Sequence, residues 1–314
     1  MRILVTGGAG FIGSHLSERL LREGHEIAVL DDLNDFYSPA LKRRNLDAVM
    51  SAGPCRFVHG DICDPSLVDS IFSGFRPAAV VHIAARAGVR PSLEQPLLYE
   101  RVNVGGTAVL LDAARRAGCS RFVLASSSSV YGVANRVPFS EDDTSNLPIS
   151  PYAATKLAAE KFCYTYSHLY GIKTVCLRFF TVYGPRQRPD LAIRKFMERI
   201  EAGQPIPLFG DGTMGRDYTF IDDIVEGVTA SLSLDTAYDI INLGNSSPVG
   251  LLDMVRTIES VLGRRAVIDW KPDQPGDVPI TFADTSKARR LLGYAPSTSF
   301  AAGVEKQAVW MRSL

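Results

Sequence analysis

Through the first half of the chain, short β-branched runs alternate with helical stretches, and this alternation limits the fold more than any other feature. Strands that each need a helix before the next can pair in parallel make a sheet covered by helices on both faces. Strands are expected at 3–6, 26–30, 56–59, 79–82, 122–125 and 174–178, with helices near 11–23, 40–51, 66–73, 97–117 and 151–170. Crossovers of this kind are right-handed, so the units wind into a doubly wound α/β sheet with its ligand crevice at the carboxyl ends of the strands.

Past residue 178 the pattern loosens. Gly- and Pro-rich stretches, GPRQRPD at 184–190 and LFGDGTMGRD at 208–217, flank a helix near 191–202 and read as loops of a second lobe. A helix opening at Asp222 and Asp223 leads to a strand at 238–242 that rejoins the sheet, and helices follow near 250–262, 285–292 and 299–312. The expected organisation is a parallel-sheet domain of residues 1–180 and 217–245, with a smaller mixed α/β substrate-binding lobe of 181–216 and 246–314 on its C-terminal side.

A 46% hydrophobic share over 314 residues fills a core of this size. The 34 Lys and Arg balance 34 Asp and Glu, so no global field draws the chain to nucleic acid or to anionic membrane, and neither is an expected partner. Any phosphate must be met locally. Cys55, Cys63, Cys119, Cys163 and Cys176 include no C-x-x-C pair and read as reduced core thiols. His15, His25, His59, His82 and His168 show no metal-ligand spacing; no metal is called for, and His82, ending an apolar strand, reads as packed. No apolar run approaches the about 20 residues of a membrane helix, and no leader pattern precedes the first strand, so the expected address is the cytoplasm.

The first strand runs into Gly7, Gly10 and Gly13 at a strand-to-helix turn. A tight turn, a backbone close enough to touch pyrophosphate and a helix packed hard on the sheet each call for a missing Cβ, and the helix then points its amide N–H groups at the anion. This is the Rossmann dinucleotide arrangement. Asp31, ending the second strand, is placed to accept hydrogen bonds from the adenosine ribose; it would repel a 2′-phosphate, so NAD is expected over NADP. Asp32 either shares this role or caps the next loop. Asp61, after the third strand, either partners the adenine amine or caps a helix N-terminus.

Tyr152 and Lys156 lie four apart at the start of a helix and project from one face. An ammonium beside a phenol favours phenolate and moves a poor base toward working pH. The serine run Ser126 to Ser129, followed by Val130, Tyr131 and Gly132, ends the fifth strand on the same carboxyl edge.

These motifs, spread over essentially the whole chain, resemble the extended short-chain dehydrogenases that epimerise nucleotide sugars, related to UDP-galactose 4-epimerase. The resemblance implies that Ser127, three before Val130, bonds the reacting sugar oxygen, with Ser126 and Ser128 as competitors; that Tyr152 and Lys156 are catalytic; and that Phe11, Ile12, Ile62, Ala84 and Lys156 join Gly7, Gly10, Gly13, Asp31, Asp32 and Asp61 around NAD. Closer still is UDP-glucuronate 4-epimerase, which carries the Arg-Phe-Phe-Thr-Val-Tyr-Gly-Pro found here at 178–185. There Thr181, with Ser128 and Ser129, would solvate a C6 carboxylate, and Arg188 would neutralise or orient it. Thr181 also reads as a strand-end hydroxyl, and Arg188 as an exposed loop arginine. Arg216 matches the arginine that pairs with the UDP diphosphate, against a surface salt bridge as the plainer reading. Two departures from galactose epimerases stand at Gln274, often arginine there, and Ala87, a lysine there. Relatives that eliminate water carry Asp-Glu before Val-Tyr-Gly, and those that decarboxylate carry Glu; Ser128 and Ser129 stand here instead.

The implied reaction is C4 epimerisation of a UDP-sugar through a transient 4-keto intermediate, from UDP-glucuronate to UDP-galacturonate. UDP-glucose/UDP-galactose epimerisation is the alternative within enzymes, and a non-catalytic dinucleotide-sensing module the alternative outside them. Helices near 97–117 and 151–170 resemble those through which such enzymes pair, so a homodimer is expected.

Overall fold

The computed structural model describes residues 1–133, 136–144, 146–272 and 280–314. Seven parallel strands form the main sheet: β1 (Arg2–Thr6), β2 (Glu26–Asp31), β3 (Cys55–His59), β4 (Ala79–His82), β5 (Arg121–Ser127), β6 (Lys173–Phe179) and a late arrival, Tyr238–Leu243. Their order is β3-β2-β1-β4-β5-β6, closed by the late strand on the outer side of β6. The order reverses between β1 and β4, and that is where a doubly wound sheet opens its crevice. β1 and β4 are buried along nearly their whole length, as strands covered on both faces must be.

The connecting helices are α1 (Phe11–Arg22), α2 (Pro39–Ala52), α3 (Pro65–Phe75), α4 (Val89–Glu94), α5 (Pro96–Glu100), α6 (Gly106–Arg116) and α7 (Pro151–Tyr170). The single helix expected near 97–117 is three pieces. A π-helical turn over Arg101–Gly105 joins α5 to α6, and Asn103 within it exchanges hydrogen bonds with the Arg86 backbone, donating to its carbonyl at 3.0 Å and accepting from its N–H at 2.8 Å. Such a turn sacrifices regular i→i−4 bonding to aim a side chain, and helical periodicity cannot reveal it. α7 begins where the sequence places it: the Ser150 hydroxyl accepts from the Ala153 N–H at 3.2 Å, Pro151 opens the first turn, and Gly171, at φ +70°, closes the last.

The second half adds β7 (Thr181–Tyr183), α8 (Ala192–Glu201), β8 (Ile206–Phe209), β9 (Gly215–Phe220), α9 (Ile221–Ser231), the strand already met, now β10 (Tyr238–Leu243), β11 (Pro248–Gly250), α10 (Leu251–Leu262), β12 (Ile268–Lys271), β13 (Ile280–Thr281), α11 (Ser286–Leu292) and α12 (Phe300–Met311). β9 pairs with β7, β11 and β13 in a small mixed sheet, and β8 pairs with β12. The stretch 208–217 is therefore not loop throughout: its two ends are the end of β8 and the start of β9. A domain boundary at 217 cuts β9, which pairs wholly in the small sheet; the chain re-enters the large unit at α9. The buried Asp217 carboxylate holds this sheet together, accepting from the N–H groups of Asn245 (2.7 Å), Ser246 (3.0 Å) and Ala283 (3.0 Å). No helix among the described residues is long and apolar enough to cross a membrane.

Candidate active site

A cavity of about 490 Å³ opens at the carboxyl edge of the main sheet and runs from the glycine turn to the small sheet. Its first wall is Gly7, Gly10, Phe11 and Ile12. A Cβ on Gly7, at φ +72°, would sit 2.7 Å from the Ala84 nitrogen, and one on Gly13 would sit 2.1 Å from the Gly7 carbonyl oxygen. Gly13 does not line the cavity; its missing side chain lets α1 pack onto the turn. These are the close approaches a pyrophosphate cradle requires, so the turn fits a dinucleotide.

Asp31 lines the cavity while 7% exposed, its Oδ2 accepting from the Ala9 N–H (3.0 Å) and its Oδ1 from the Leu33 N–H (2.9 Å). Burial pushes its carboxyl up, against the pull of those bonds and of Lys42. Each oxygen keeps a second lone pair for a ribose hydroxyl. Asp32 also lines the cavity, and its Oδ1 accepts from the Asn34 N–H at 3.1 Å, the loop-capping geometry. Asp61 lines the cavity with Ile62 and Ala84 and accepts from the Cys63 N–H at 2.9 Å. It does not cap α3. Asp64 does, accepting from Ser66 and Leu67.

Ser126 to Ser129, Tyr152, Lys156, Thr181 and Arg188 line the same cavity and make up its reactive end. Lys156 is 4% exposed and its Nζ donates to the Ala125 carbonyl at 2.7 Å. Burial pulls its pKa down to about 8, while the Glu160 carboxylate one turn further along α7 pulls it upward. Burial pushes the Tyr152 phenol up; the Ser127 hydroxyl and the Arg188 guanidinium counter it. Its ring meets the Tyr99 ring edge-on at 6.3 Å. The serines separate by partner. The Ser126 hydroxyl donates to Glu160 Oε1 at 2.5 Å inside the core, whereas the Ser127 hydroxyl donates to Ser129 Oγ at 3.1 Å beside Tyr152.

Arg188 forms a forked pair with Asp190 (2.9 and 2.8 Å) and stands over the Phe36 ring at 5.3 Å. It is a cavity residue, not an exposed loop arginine. Arg216 is not among the described residues that line the cavity: it stands on β9 in register with Val249 and Thr281, and one of its guanidinium nitrogens donates to the Gly215 carbonyl at 2.9 Å. Gln274 lies outside the described residues. Sequence reasoning missed Lys42, Tyr37, Arg86 and Leu191, all cavity-lining. Nothing in their local spacing distinguishes them from helix-surface or loop residues. It also missed the bidentate Glu160–Arg178 pair beneath the serines (2.9 and 2.8 Å), although Glu160 continues the Tyr152, Lys156 face by another four residues.

A family model described as GDP-mannose 4,6 dehydratase matches residues 4–307. The chain is 42% identical over 310 residues to a UDP-glucuronate 4-epimerase of Thermodesulfobacterium geofontis, covering 98% of this chain and 95% of that one. It superposes on the UDP-glucuronic acid 4-epimerase of Bacillus cereus in complex with UDP-glucuronic acid and NAD with a TM-score of 0.94, at 35% identity and 100% and 99% coverage. The UDP-glucose 4-epimerase of Thermotoga maritima, solved with UDP-glucose, gives a TM-score of 0.92 at 31% identity and the same coverage.

Proposed function

Given that the chain belongs to the GDP-mannose 4,6-dehydratase family, we propose that it is a NAD-dependent isomerase that inverts C4 of UDP-glucuronate to give UDP-galacturonate. The observation that carries this reading is one cavity lined both by a buried Lys156, Tyr152 and Ser127 and by a glycine turn that fits a dinucleotide. Gly7, Gly10, Phe11, Ile12 and Ala84 hold the pyrophosphate side of the cofactor, Asp31 and Asp32 the ribose, and Asp61 and Ile62 the adenine. When bound, NAD would supply the hydride acceptor and donor for C4, the chemistry that passage through a 4-keto sugar requires.

Tyr152 takes the 4-hydroxyl proton and gives it back on the return step, and Ser127 bonds the same sugar oxygen. Lys156, one turn further along the same face of α7, would bring its positive charge to the phenol and favour phenolate once it turns from the Ala125 carbonyl. A 4-keto glucuronate is a β-keto acid, which loses CO₂ when its carboxylate aligns with the carbonyl π system. Holding that carboxylate out of alignment falls to Thr181, Ser128, Ser129 and Arg188. On the family likeness Arg216, on β9 beyond the cavity lining, takes the diphosphate arm of a sugar nucleotide that extends out of the cavity.

Two coarser assignments accompany this one. The Rossmann unit holds the cofactor and the small sheet with its helices holds the sugar nucleotide. The enzyme is a cytoplasmic homodimer joined through α5 to α7, where Leu97, Phe162, Leu169 and Tyr170 expose apolar surface; the free cysteines suit a reducing compartment.

Separate incubation of the purified protein with UDP-glucuronate and with UDP-glucose tests the reading. Epimerised glucuronate is the expected product. Turnover of glucose alone would transfer the assignment to UDP-glucose 4-epimerase, the reading favoured by the Thermotoga maritima likeness. A Tyr152→Phe variant indistinguishable from the parent on both sugars would leave a dinucleotide-sensing module.

A further inference from the structure

The loop after β7 that presents Arg188 is anchored by buried amides far apart in sequence. Gln187, the neighbour of Arg188, is 1% exposed, and Gln307 on α12 is fully buried. The Gln307 amide donates from Nε2 to Gln187 Oε1 at 2.8 Å and accepts at Oε1 from the Gly184 N–H at 3.0 Å. Gln187 in turn donates to the Val182 carbonyl (3.1 Å) and accepts from the Arg194 N–H (3.2 Å), while its own carbonyl accepts from the Arg194 guanidinium (2.7 Å). Buried side-chain amides bonded on both sides hold geometry rather than supply hydrophobic stability, because each polar atom only recovers what water would have given it.

The other flank is tied to the cofactor helix. Arg186, a non-glycine residue at φ +64°, pairs with Glu18 of α1 and donates to Ser14 Oγ at 3.2 Å, and His15 Nε2 lies 3.0 Å from the Pro185 carbonyl oxygen. A left-handed arginine persists only where its surroundings fix it. The loop is therefore tied down on both sides of Arg188, whose guanidinium is itself forked to Asp190.

We propose that Gln307 is a specificity-positioning residue: through Gln187 and Gly184 it sets where Arg188 meets the sugar end of the substrate, and so the preference for a C6 carboxylate over a C6 hydroxymethyl. This rests on the assignment of Arg188 to that carboxylate. Gln307 touches neither substrate nor cofactor; it acts on Arg188 across the fold.

The test is calorimetric titration of the NAD-loaded, full-length protein with UDP-glucuronate, with UDP-glucose and with UDP, in a Tyr152→Phe background that does not turn the sugar over. Gln307→Met should weaken UDP-glucuronate about tenfold and leave UDP-glucose, UDP and NAD binding within about twofold, a change of roughly 1.4 kcal/mol carried by the carboxylate. Gln307→Asn, which keeps the amide but withdraws it by one methylene, should move the ratio in the same direction by less, and serves if the Met variant does not fold. Equal weakening of UDP and UDP-glucuronate, or no weakening of either, would overturn the proposal. Arg188→Ala separates the layers. If it leaves the glucuronate-to-UDP ratio unchanged, the assignment of Arg188 falls; if it shifts the ratio while Gln307→Met does not, only the role of Gln307 falls.

Discussion

The Ser126 hydroxyl donates to Glu160 Oε1 at 2.5 Å, turned into the core although Ser126 lines the cavity. Four adjacent serines are equivalent as letters, yet this bond engages Ser126 in the core, while Ser127 stands beside Tyr152 and is the serine we propose bonds the sugar oxygen. Ser127→Ala should lower kcat about 10²-fold with little change in folding stability. Ser126→Ala should do the reverse, costing about 1–3 kcal/mol of stability with kcat within severalfold of the parent. Initial rates on UDP-glucuronate and urea unfolding of both variants check this; a larger kcat loss for Ser126→Ala would reverse the assignment.

Beneath those serines Glu160 and Arg178 are 0% and 1% exposed, with the guanidinium also 4.5 Å over the Tyr131 ring. Removing one partner leaves a buried charge alone. Glu160→Gln should cost about 3–5 kcal/mol, and the double change to methionine at 160 and 178 distinctly less than the single one. Denaturant midpoints of the two variants decide it, and a double variant weaker than the single one would contradict the account.

His82 stands 2% exposed between Thr6 Oγ1 (2.7 Å) and Thr107 Oγ1 (3.0 Å). Burial, with a smaller push from Lys156, lowers its pKa to about 3, and burial also lowers His15 to about 4. The unfolded chain binds a proton at about pH 6.5 that the folded chain refuses, so stability rises with pH between these values and falls as pH drops through them. His82 alone should remove about 3 kcal/mol between pH 6.5 and 4. His82→Gln should flatten that slope in urea melts taken across the range; an unaltered slope would mean the ring is charged in the folded state.

Gly13→Ala should disturb the cofactor turn, since its Cβ would lie 2.1 Å from the Gly7 carbonyl oxygen. A cost of about 1–3 kcal/mol and a measurable loss of NAD affinity are expected. Gly105→Ala is the control: its backbone is helical (φ −60°) and nothing lies within 4 Å of the added carbon. Equal NAD binding in both variants would remove Gly13 from the cradle.

What the sequence made legible is what local rules write: β1, β4 and β6 from runs of buried residues, α7 from Ser150, Pro151 and the Tyr152 to Lys156 step, the turn from its glycines. β7, β11 and β13 are two or three residues long and exist only by pairing with or around β9, so no periodicity announces them. The partners of Gln187 and Glu160 are set by tertiary contact. Asp61 illustrates a halfway case: its carboxylate was legible, but only the geometry shows that Asp64 three residues on is the cap.

The main sheet closes with β10, which pairs along β6 from Thr174 to Phe179. During synthesis the hydrogen-bonding edge of β6 has no neighbour on that side until residue 243 has emerged, after all of β7, α8, β8, β9 and α9. A nascent chain therefore carries a long apolar strand edge open to wrong partners. Ribosome-bound fragments whose emerged part stops before Tyr238 should engage chaperones, and those long enough to carry Leu243 out of the exit tunnel should release them.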